Sequence, residues 1–174
     1  MKIYVIGCSC SGKSTLALKL AARLDITHIE LDQIWWLPDW QERKITEFRQ
    51  IVESRLNSSD NWVIDGNYRR VRDIILPQVD QIIWLNLPFH IVFWRSITRT
   101  ISRSISHKSV CNGNYERLSA LLSRDGMPAW IIRSYKIRKQ YGSALKATDN
   151  RVIELKTPKA INTFLKNLKS MISY

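Results

Sequence analysis

The residues best suited to chemistry form a short glycine-bounded stretch near the N-terminus. Positions 7–14 read G-C-S-C-S-G-K-S and match the pattern G-x-x-x-x-G-K-[ST] of phosphate-binding loops. In such a loop the backbone N–H groups surround phosphate oxygens, the lysine reaches the β- and γ-phosphates, and the final hydroxyl ligates Mg²⁺. We therefore predict that Lys13 binds phosphate and that Ser14 is a metal ligand. The predicted residues of this Mg·ATP site are Gly7, Cys8, Ser9, Cys10, Ser11, Gly12, Lys13, Ser14 and Thr15.

Two carboxylates that follow predicted strands are candidates for the remaining chemistry. Asp32 comes directly after Leu31, and Asp65 comes directly after Ile64. Because the carboxyl ends of parallel strands meet at one edge of a sheet, we expect both acids near the phosphate loop. Either acid could hold Mg²⁺ through water or orient an acceptor hydroxyl, and we predict that Asp32 is the general base or a ligand of metal-bound water. The alternatives are a helix cap or turn acid at Asp32 and a simple Asp-Gly turn at Asp65.

Positive charge is concentrated in the second half of the chain. Residues 90–146 carry 11 Lys and Arg against two acids, Glu116 and Asp125, which gives 11 − 2 = +9 of the total net charge of +12. Arg95, Arg99 and Arg103 recur every four residues and so form one stripe along a predicted helix. Such a stripe is either a solvated basic face or a clamp that stabilises charge on a transferring phosphoryl group.

Strands and helices alternate along the chain, which predicts a single α/β domain over residues 1–174 with a parallel sheet covered on both faces. The predicted strands are Ile3–Ile6, His28–Leu31, Trp62–Ile64, Gln81–Leu87 and Arg151–Leu155. The predicted helices are Ser14–Leu24, a segment containing Ile45 to Leu56, His90–Ile105, Pro128–Tyr141 and one from Pro158 to near Ile172.

Composition and charge limit the class of protein. A chain of 174 residues that is 45% apolar and 24% charged fits one globular domain. The net charge of +12 favours an anionic partner, whether nucleotide, nucleic acid or lipid headgroup. No stretch is long and apolar enough to cross a membrane or to form a signal-peptide core, so we expect no membrane partner. Three cysteines, Cys8, Cys10 and Cys111, predict reduced thiols in the cytoplasm, and no second Cys/His pair completes a zinc site.

A further set of motifs over about residues 1–141 combines the phosphate loop with paired tryptophans, an Asp-Gly-Asn-Tyr turn and spaced arginines. These motifs are Gly7 to Thr15, Leu31-Asp32, Trp36-x-Pro38-x-Trp40, Trp62 to Tyr68, Val71-Arg72-Asp73, Ile83-Trp84-Leu85, Leu87-Pro88, Arg95/Arg99/Arg103, Gly113-Asn114 with Glu116, and Trp130 with Arg133. With them the chain resembles P-loop kinases of the adenylate-kinase-related group, and most closely the DNA topology modulation (FlaR-like) proteins. The phosphate loop is specific for the superfamily, and the tryptophans with the turn are specific for the group.

The resemblance implies a fold and a set of site residues. It implies a P-loop NTPase fold with a five-stranded parallel sheet in the order 2-3-1-4-5, an acceptor-binding insert near residues 33–61 and a lid near residues 104–127. The residues that it places at the acceptor are Asp32, Trp36, Asp65, Asn67, Arg69 and Arg72. Arg95 and Arg99 resemble the pair that flanks the nucleotide base and reaches its phosphates, with Arg99 also catalytic, and Arg133 resembles a second catalytic arginine beside the lid. Asn86 departs from the pattern, which has an Asp there.

The acceptor itself is not specified by these motifs. Trp35, Trp36 and Trp40 lie together at the start of the insert, where they could stack a base or form the insert's own small core. A nucleotide, a nucleoside or a small phosphorylated metabolite would each be compatible.

We therefore expect an ATP-dependent phosphotransferase that uses ATP and Mg²⁺ and acts on a small-molecule or nucleotide acceptor. One alternative is a nucleic-acid-binding regulator that uses ATP as a switch, which the high net charge would suit. Against it, the charge lies where a kinase lid would be, and the sequence has no helix-turn-helix, zinc finger or basic arm. A second alternative is a nucleotide-binding scaffold without activity, which the intact Lys13, Ser14 and both acids oppose.

Overall fold

A computed structural model describes residues 1–107 and 109–171 of the chain. The strands are β1 (Lys2–Gly7), β2 (Thr27–Glu30), β3 (Trp62–Asp65), β4 (Gln81–Leu85) and β5 (Val152–Leu155). Within the described residues they form one sheet in the order β2-β3-β1-β4-β5, and each neighbouring pair is parallel. The predicted fold class and strand order are therefore confirmed.

Helices cover both faces of the sheet. They are α1 (Lys13–Leu24), α2 (Leu31–Trp35), α3 (Ile45–Asn57), α4 (Arg72–Ile75), α5 (Phe89–Ile105), α6 (Met127–Thr148) and α7 (Pro158–Met171). Short 3₁₀ segments occur at Pro38–Trp40, Arg69–Val71, Leu76–Gln78 and Leu118–Leu121. Within this part of the chain, no helix has both the length and the apolar character that a bilayer crossing requires.

Some predicted boundaries were wrong. Strand β2 ends at Glu30, because Leu31 is already the first residue of α2, so Asp32 lies on a short helix rather than at a strand end. Helix α6 continues seven residues beyond the predicted end at Tyr141, to Thr148. The predicted end of the last helix, near Ile172, lies outside the described residues.

A core lies on each face of the sheet because successive side chains of a strand point to opposite faces. On one face Tyr4, Ile64 and Trp84 pack with residues of α3 and α4 such as Phe48 and Ile75. On the other face Ile3, Val5, Val63, Ile83 and Leu85 pack against α1 and α7, whose buried members are Leu16, Ala17, Leu20, Ala21, Leu165 and Leu168. Burial on both faces explains why the strands are continuous apolar runs rather than alternating ones.

The carboxyl ends of the strands bring the candidate residues to one edge. In the sheet register Gly7 lies opposite Leu85, while Asp65 lies opposite Val5 on one side and Glu30 on the other. The phosphate loop and the turn after β3 both leave the sheet at this edge. The fold thus positions these two segments as neighbours although about 60 residues separate them.

Candidate active site

The phosphate loop joins β1 to α1 through backbone conformations that favour glycine. Gly7 has φ +151°, and a Cβ there would lie 2.7 Å from the carbonyl oxygen of Leu85. Gly12, at the N-cap of α1, has φ +97°, so the chain turns directly from the loop into the helix. This arrangement leaves the first N–H groups of α1 at the loop, where a helix N-terminus favours anions.

Two cations contact the loop backbone. The Nζ of Lys13 donates a hydrogen bond to the carbonyl oxygen of Cys8 at 3.0 Å. The Nη1 of Arg95, on α5, donates to the carbonyl oxygen of Ser11 at 3.2 Å. Two of the predicted phosphate-binding side chains are thus brought to the loop by different elements, one from the loop's own helix and one from the helix after β4.

Ser14, Asp65 and His28 form a continuous hydrogen-bonded chain beside the loop. The hydroxyl of Ser14 donates to Oδ2 of Asp65 at 2.6 Å, and Nε2 of His28 lies 2.8 Å from Oδ1 of the same carboxylate. Asp65 is only 2% exposed. Both carboxylate oxygens therefore have a protein partner. Asp65 is thus not only the first residue of an Asp-Gly turn, because its side chain is also hydrogen-bonded to Ser14.

A third carboxylate, Glu30, lies beside Asp65 in the register of β2 and β3. Burial first, and then the negative charges of Asp65 and Asp32, raise the pKa of Glu30 above its ordinary value. A positive ion near these three acids would relieve that repulsion.

The oxygen donors of this region suit Mg²⁺. Mg²⁺ prefers oxygen ligands and usually keeps several waters, with one or two carboxylates and substrate phosphates completing its shell. In the described ranges no group of three His, Cys, Asp or Glu side chains has the arrangement of a metal cage. The Ser14 hydroxyl and the Asp65 carboxylate, which are in contact, are oxygen donors that fit a Mg²⁺ bound together with phosphate oxygens and water.

Asp32 and Tyr68 form the second polar pair of the site. The hydroxyl of Tyr68 donates to Oδ1 of Asp32 at 2.6 Å. Burial, with the neighbouring charge of Asp32, raises the pKa of Tyr68 above its ordinary value, so the phenol stays a donor at neutral pH. Tyr68 is held by ring contacts with Trp35 and Phe48, at centroid distances of 5.6 and 5.2 Å.

Two arginines, Arg72 and Arg138, form no ion pair with a carboxylate within the part of the chain that the structure describes. The guanidinium of Arg72 stacks on the ring of Tyr141 at 3.4 Å, and Nη1 of Arg138 donates to the carbonyl oxygen of Asn67 at 2.7 Å. Burial first, and then the charge of Arg72, lower the pKa of Arg138. Among the described residues, neither Nε of Arg72 nor the hydroxyl of Tyr141 has a hydrogen-bond partner.

Other predicted site residues lie elsewhere or have different contacts. Arg69, Arg133 and Thr15 are exposed, and Arg133 lies on the solvent side of α6 between the buried Ile131 and Ser134. The side chain of Asn67 is hydrogen-bonded to the backbone of Gly7.

The predicted tryptophan cluster is divided between a core and a surface position. Trp35 is buried and packs against Phe48 at a centroid distance of 5.0 Å, so it belongs to the core on that face of the sheet rather than to a separate core of the insert. Trp36 is half-buried and lies edge-on to Trp40, which is exposed, at 5.6 Å. Of the three rings, Trp36 and Trp40 are therefore the ones that are not fully buried.

Glu116 binds the rest of the arginine stripe. Its Oε1 accepts hydrogen bonds from Arg99 at 3.2 Å and from Arg103 at 2.7 Å, and its Oε2 accepts one from Thr100 at 3.1 Å. Arg99 and Arg103 are therefore an ion-paired cluster rather than a freely solvated basic face.

The segment that contains Glu116 is also bound to the insert. Asn114, which is 3% exposed, donates to the carbonyl oxygen of Leu37 at 2.9 Å and accepts from the N–H of Trp40 at 2.8 Å. Asn112 donates to the carbonyl oxygens of Gln33 at 2.8 Å and Trp36 at 2.5 Å. Residues 112–116 thus bridge α5 and the insert.

Cys111, next to this bridge, carries a half-buried thiol. Burial and the negative charges of Asp32 and Glu30 raise the pKa of the Cys111 thiol to about 12. The thiol therefore stays protonated at neutral pH.

Four residues of this arrangement were not predicted from the sequence: His28, Glu30, Tyr68 as an Asp32 partner, and Arg138. A signal existed for Arg138, because it shares the buried face of α6 with Ile131 and Ser134 at helical spacing. Tyr68 stood in a quoted motif but had no assigned role. His28 and Glu30 alternate along β2, which places them on the same face as Asp65 once the register is known.

Comparison with known proteins agrees with this architecture. No family model matches the chain. The uncharacterized protein YqaC of Bacillus subtilis (strain 168) is 28% identical over 121 residues, which are 69% of this chain and 68% of that protein. The crystal structure of shikimate kinase from Bacteroides thetaiotaomicron matches with a TM-score of 0.57 and 16% identity, over 100% of this chain and 99% of that one. The chain therefore has the P-loop fold that this kinase has.

Proposed function

We propose that the protein is an ATP-dependent phosphotransferase that transfers the γ-phosphoryl group of Mg·ATP to a small-molecule acceptor. The observation that carries this proposal is the hydrogen bond of 2.6 Å between Ser14 of the phosphate loop and Asp65 at the end of β3. It joins the predicted metal ligand to a buried carboxylate at the edge where open α/β folds bind ligands. The resemblance to FlaR-like kinases supports the same assignment.

The nucleotide end of the reaction uses the loop and its cations. The loop N–H groups and Lys13 bind the β- and γ-phosphates, while Arg95 and Arg99 bind phosphate oxygens and stabilise the charge that develops on them. Ser14 and Asp65 hold the metal site, and Mg²⁺, when bound, supplies further positive charge there. For Arg99 to bind a phosphate oxygen, its hydrogen bond to Glu116 must break.

The acceptor end uses Asp32. Tyr68 occupies Oδ1 of Asp32, so we assign Oδ2 to the acceptor hydroxyl. The acceptor oxygen attacks the γ-phosphorus, its proton passes to Asp32, and the bond between the γ-phosphorus and the leaving oxygen of ADP breaks. Orientation of a water on the metal is the other role that Asp32 could have.

We propose that the acceptor binds between the insert (about residues 33–61) and the lid (about residues 104–127), which are parts of the same single domain. Arg72 and Arg138 supply positive charge without a carboxylate partner among the described residues, and the ring of Trp36 is only half-buried. These features support an acceptor that carries an oxyanion. The predicted Arg69 and Arg133 are exposed, and we keep them as residues that contact acceptor or nucleotide only on closure.

The state of the cysteines supports a cytoplasmic location. Cys8, Cys10 and Cys111 are all free thiols. Reduced thiols are typical of the cytoplasm, where ATP is available, so we propose that the reaction takes place there.

The direct test measures ADP release from Mg·ATP with a panel of nucleotides, nucleosides, hydroxy acids and sugar phosphates. Lys13→Ala should reduce turnover by about a thousandfold or more, since the lysine stabilises the transferring phosphoryl group. Lys19→Ala, an exposed lysine on the same helix, is the matched control and should retain wild-type turnover. Wild-type turnover by Lys13→Ala would reject the assigned site.

The net charge of +12 favours one second candidate, a nucleic-acid-associated regulator that binds ATP. The ion pairs of Glu116 with Arg99 and Arg103 argue against it, because they neutralise part of the stripe that DNA would contact. Duplex DNA is therefore included in the panel. ADP release that only DNA accelerates would favour the regulator over the small-molecule kinase.

A further inference from the structure

His28 occupies a position that connects the edge strand of the sheet to the metal site. In the register of β2 and β3, His28 lies opposite Val63, and Glu30 lies opposite Asp65. Because every second residue shares a face, His28 is the diagonal neighbour of Asp65 on the α1 side of the sheet. The imidazole spans that diagonal and lies 2.8 Å from Oδ1 of Asp65.

The chemistry of the two groups fixes the direction of this hydrogen bond. An ionised carboxylate accepts hydrogen bonds and cannot donate them, so Nε2 of His28 carries the hydrogen. Oδ2 of Asp65 accepts the hydroxyl hydrogen of Ser14 at 2.6 Å. One carboxylate thus receives a donor on each oxygen, and the donor on the far side from the phosphate loop is His28.

This geometry has a consequence for Asp65. A carboxylate held on one oxygen alone can rotate about its last torsion, which is broad for Asp. The side chain of His28 is 17% exposed and that of Asp65 is 3% exposed, so water competes little for their contact. The imidazole therefore limits Asp65 to the orientation in which Oδ2 faces Ser14.

We propose that His28 is a positioning residue for the divalent cation of the nucleotide: its N–H holds Asp65 in the orientation that the metal-binding Ser14 requires. The inference rests on the proposed function, because it assumes that Ser14 and Asp65 serve a nucleotide-bound cation. Removal of a residue that hydrogen-bonds to the ligands of a metal typically lowers metal affinity or activity by about 10- to 100-fold.

The experiment compares two substitutions that differ in one property. His28→Phe keeps an aromatic ring of similar size but has no N–H, whereas His28→Gln keeps an N–H donor at a similar reach. His90→Phe, at an exposed histidine of α5, is the matched control for the ring substitution. Mn²⁺ is titrated into each protein saturated with ADP, and the free ion is followed by electron paramagnetic resonance.

We expect His28→Phe to raise the dissociation constant of Mn²⁺ by about tenfold, with His28→Gln within about threefold of wild type and His90→Phe unchanged. The Mg²⁺ concentration for half-maximal ADP release should rise by the same factor, with kcat at saturating Mg²⁺ retained. An unchanged Mn²⁺ constant in folded His28→Phe would overturn the proposal, as would equal losses in His28→Phe and His28→Gln.

A measurement on the wild-type protein covers the case in which His28→Phe does not fold. ¹⁵N-resolved NMR of the imidazole should show a hydrogen on Nε2 that exchanges slowly and shifts when Mg·ADP is added. An unprotonated Nε2 would overturn the proposal. Binding of Mn·ADP without transfer to any acceptor would reject the proposed kinase but leave the role of His28 supported, whereas a wild type that binds no Mn²⁺ with ADP rejects both.

Discussion

The side chain of Asn67 binds both backbone groups of Gly7. Its Nδ2 donates to the carbonyl oxygen of Gly7, and its Oδ1 accepts from the N–H of Gly7 at 3.4 Å. The carbonyl oxygen of Asn67 in turn accepts a hydrogen bond from Arg138 at 2.7 Å. The first residue of the phosphate loop is thereby tied to the turn after β3 and, through it, to α6.

We expect Asn67→Ala to weaken nucleotide binding while leaving the fold intact. Two hydrogen bonds that position the loop are lost, each with a net contribution of about 1 kcal/mol, so the dissociation constant of Mg·ADP should rise about thirtyfold. Isothermal titration calorimetry measures it directly. Asn162→Ala, at an exposed position of α7, should bind like wild type, and equal affinities for the two variants would show that Asn67 does not position the loop.

Tyr68→Phe tests the pair formed with Asp32. The ring contacts with Trp35 and Phe48 are retained, so the change removes only the hydroxyl that donates to Asp32 at 2.6 Å. Hydrogen bonds to charged groups contribute about 1.5–3 kcal/mol, and we expect kcat to fall by about 10- to 100-fold with an unchanged KM for ATP. Steady-state kinetics with the identified acceptor provides the measurement. Tyr115→Phe, at an exposed ring, is the control, and an unaltered kcat in Tyr68→Phe would remove Tyr68 from the mechanism.

The strands and the phosphate loop could be predicted from the sequence because their signals are local, whereas the order of the strands in the sheet was an implication of the family resemblance. Ile3 to Ile6 and Trp62 to Ile64 are short apolar runs, as parallel strands buried on both faces require. The predicted end of β2 was one residue too late. Leu31 is the first residue of a short helix, but it is buried and apolar, as a residue of a buried strand would be.

The contacts within the site could not be predicted, because they depend on packing between distant segments. His28 and Asp65 are 37 positions apart, and Asn114 is 77 positions from Leu37. For α6 the prediction followed the family motif to Arg133, whereas the helix buries the face that carries Arg138. Asking which residues of α6 share a face with Ile131 and Ser134, rather than which residue matches the family motif, would have favoured Arg138.

Glu154 should make the stability of the fold sensitive to acid. Burial opposes its ionisation, but hydrogen bonds from Lys146 and Asn86, both at 2.6 Å, hold the pKa of Glu154 below its ordinary value. A carboxyl with a lowered folded pKa stabilises the protein above its unfolded pKa, and that contribution disappears as the pH falls through the folded pKa.

We therefore expect Glu154→Gln to lower Tm at about pH 7, with a difference from wild type that shrinks towards about pH 3. At the neutral end the loss should be about 1–2 kcal/mol in the free energy of unfolding. Thermal unfolding followed by circular dichroism over this range gives both values. Glu53→Gln, at an exposed position of α3, should change little, and a pH-independent loss in Glu154→Gln would mean that packing rather than charge is responsible.

Asn114→Ala should separate the lid from the insert without unfolding the sheet. The substitution removes two bonds to the insert, at Leu37 and Trp40, and one bond within the lid segment, to the carbonyl oxygen of Cys111. Amide exchange measured by mass spectrometry should therefore accelerate in residues 33–41 and 109–117, while β1 and β3 keep wild-type protection. Because the acceptor is proposed to bind between these segments, its KM should rise by about 5- to 30-fold, at about 1 kcal/mol for each of the two lost bonds to the insert.

Asn112→Ala breaks the separate bonds to Gln33 and Trp36 and should produce the same exchange pattern with a smaller effect on KM, since Asn112 is exposed whereas Asn114 is buried. If exchange accelerated uniformly across the sheet instead, Asn114 would stabilise the whole fold and would not specifically join the lid to the insert.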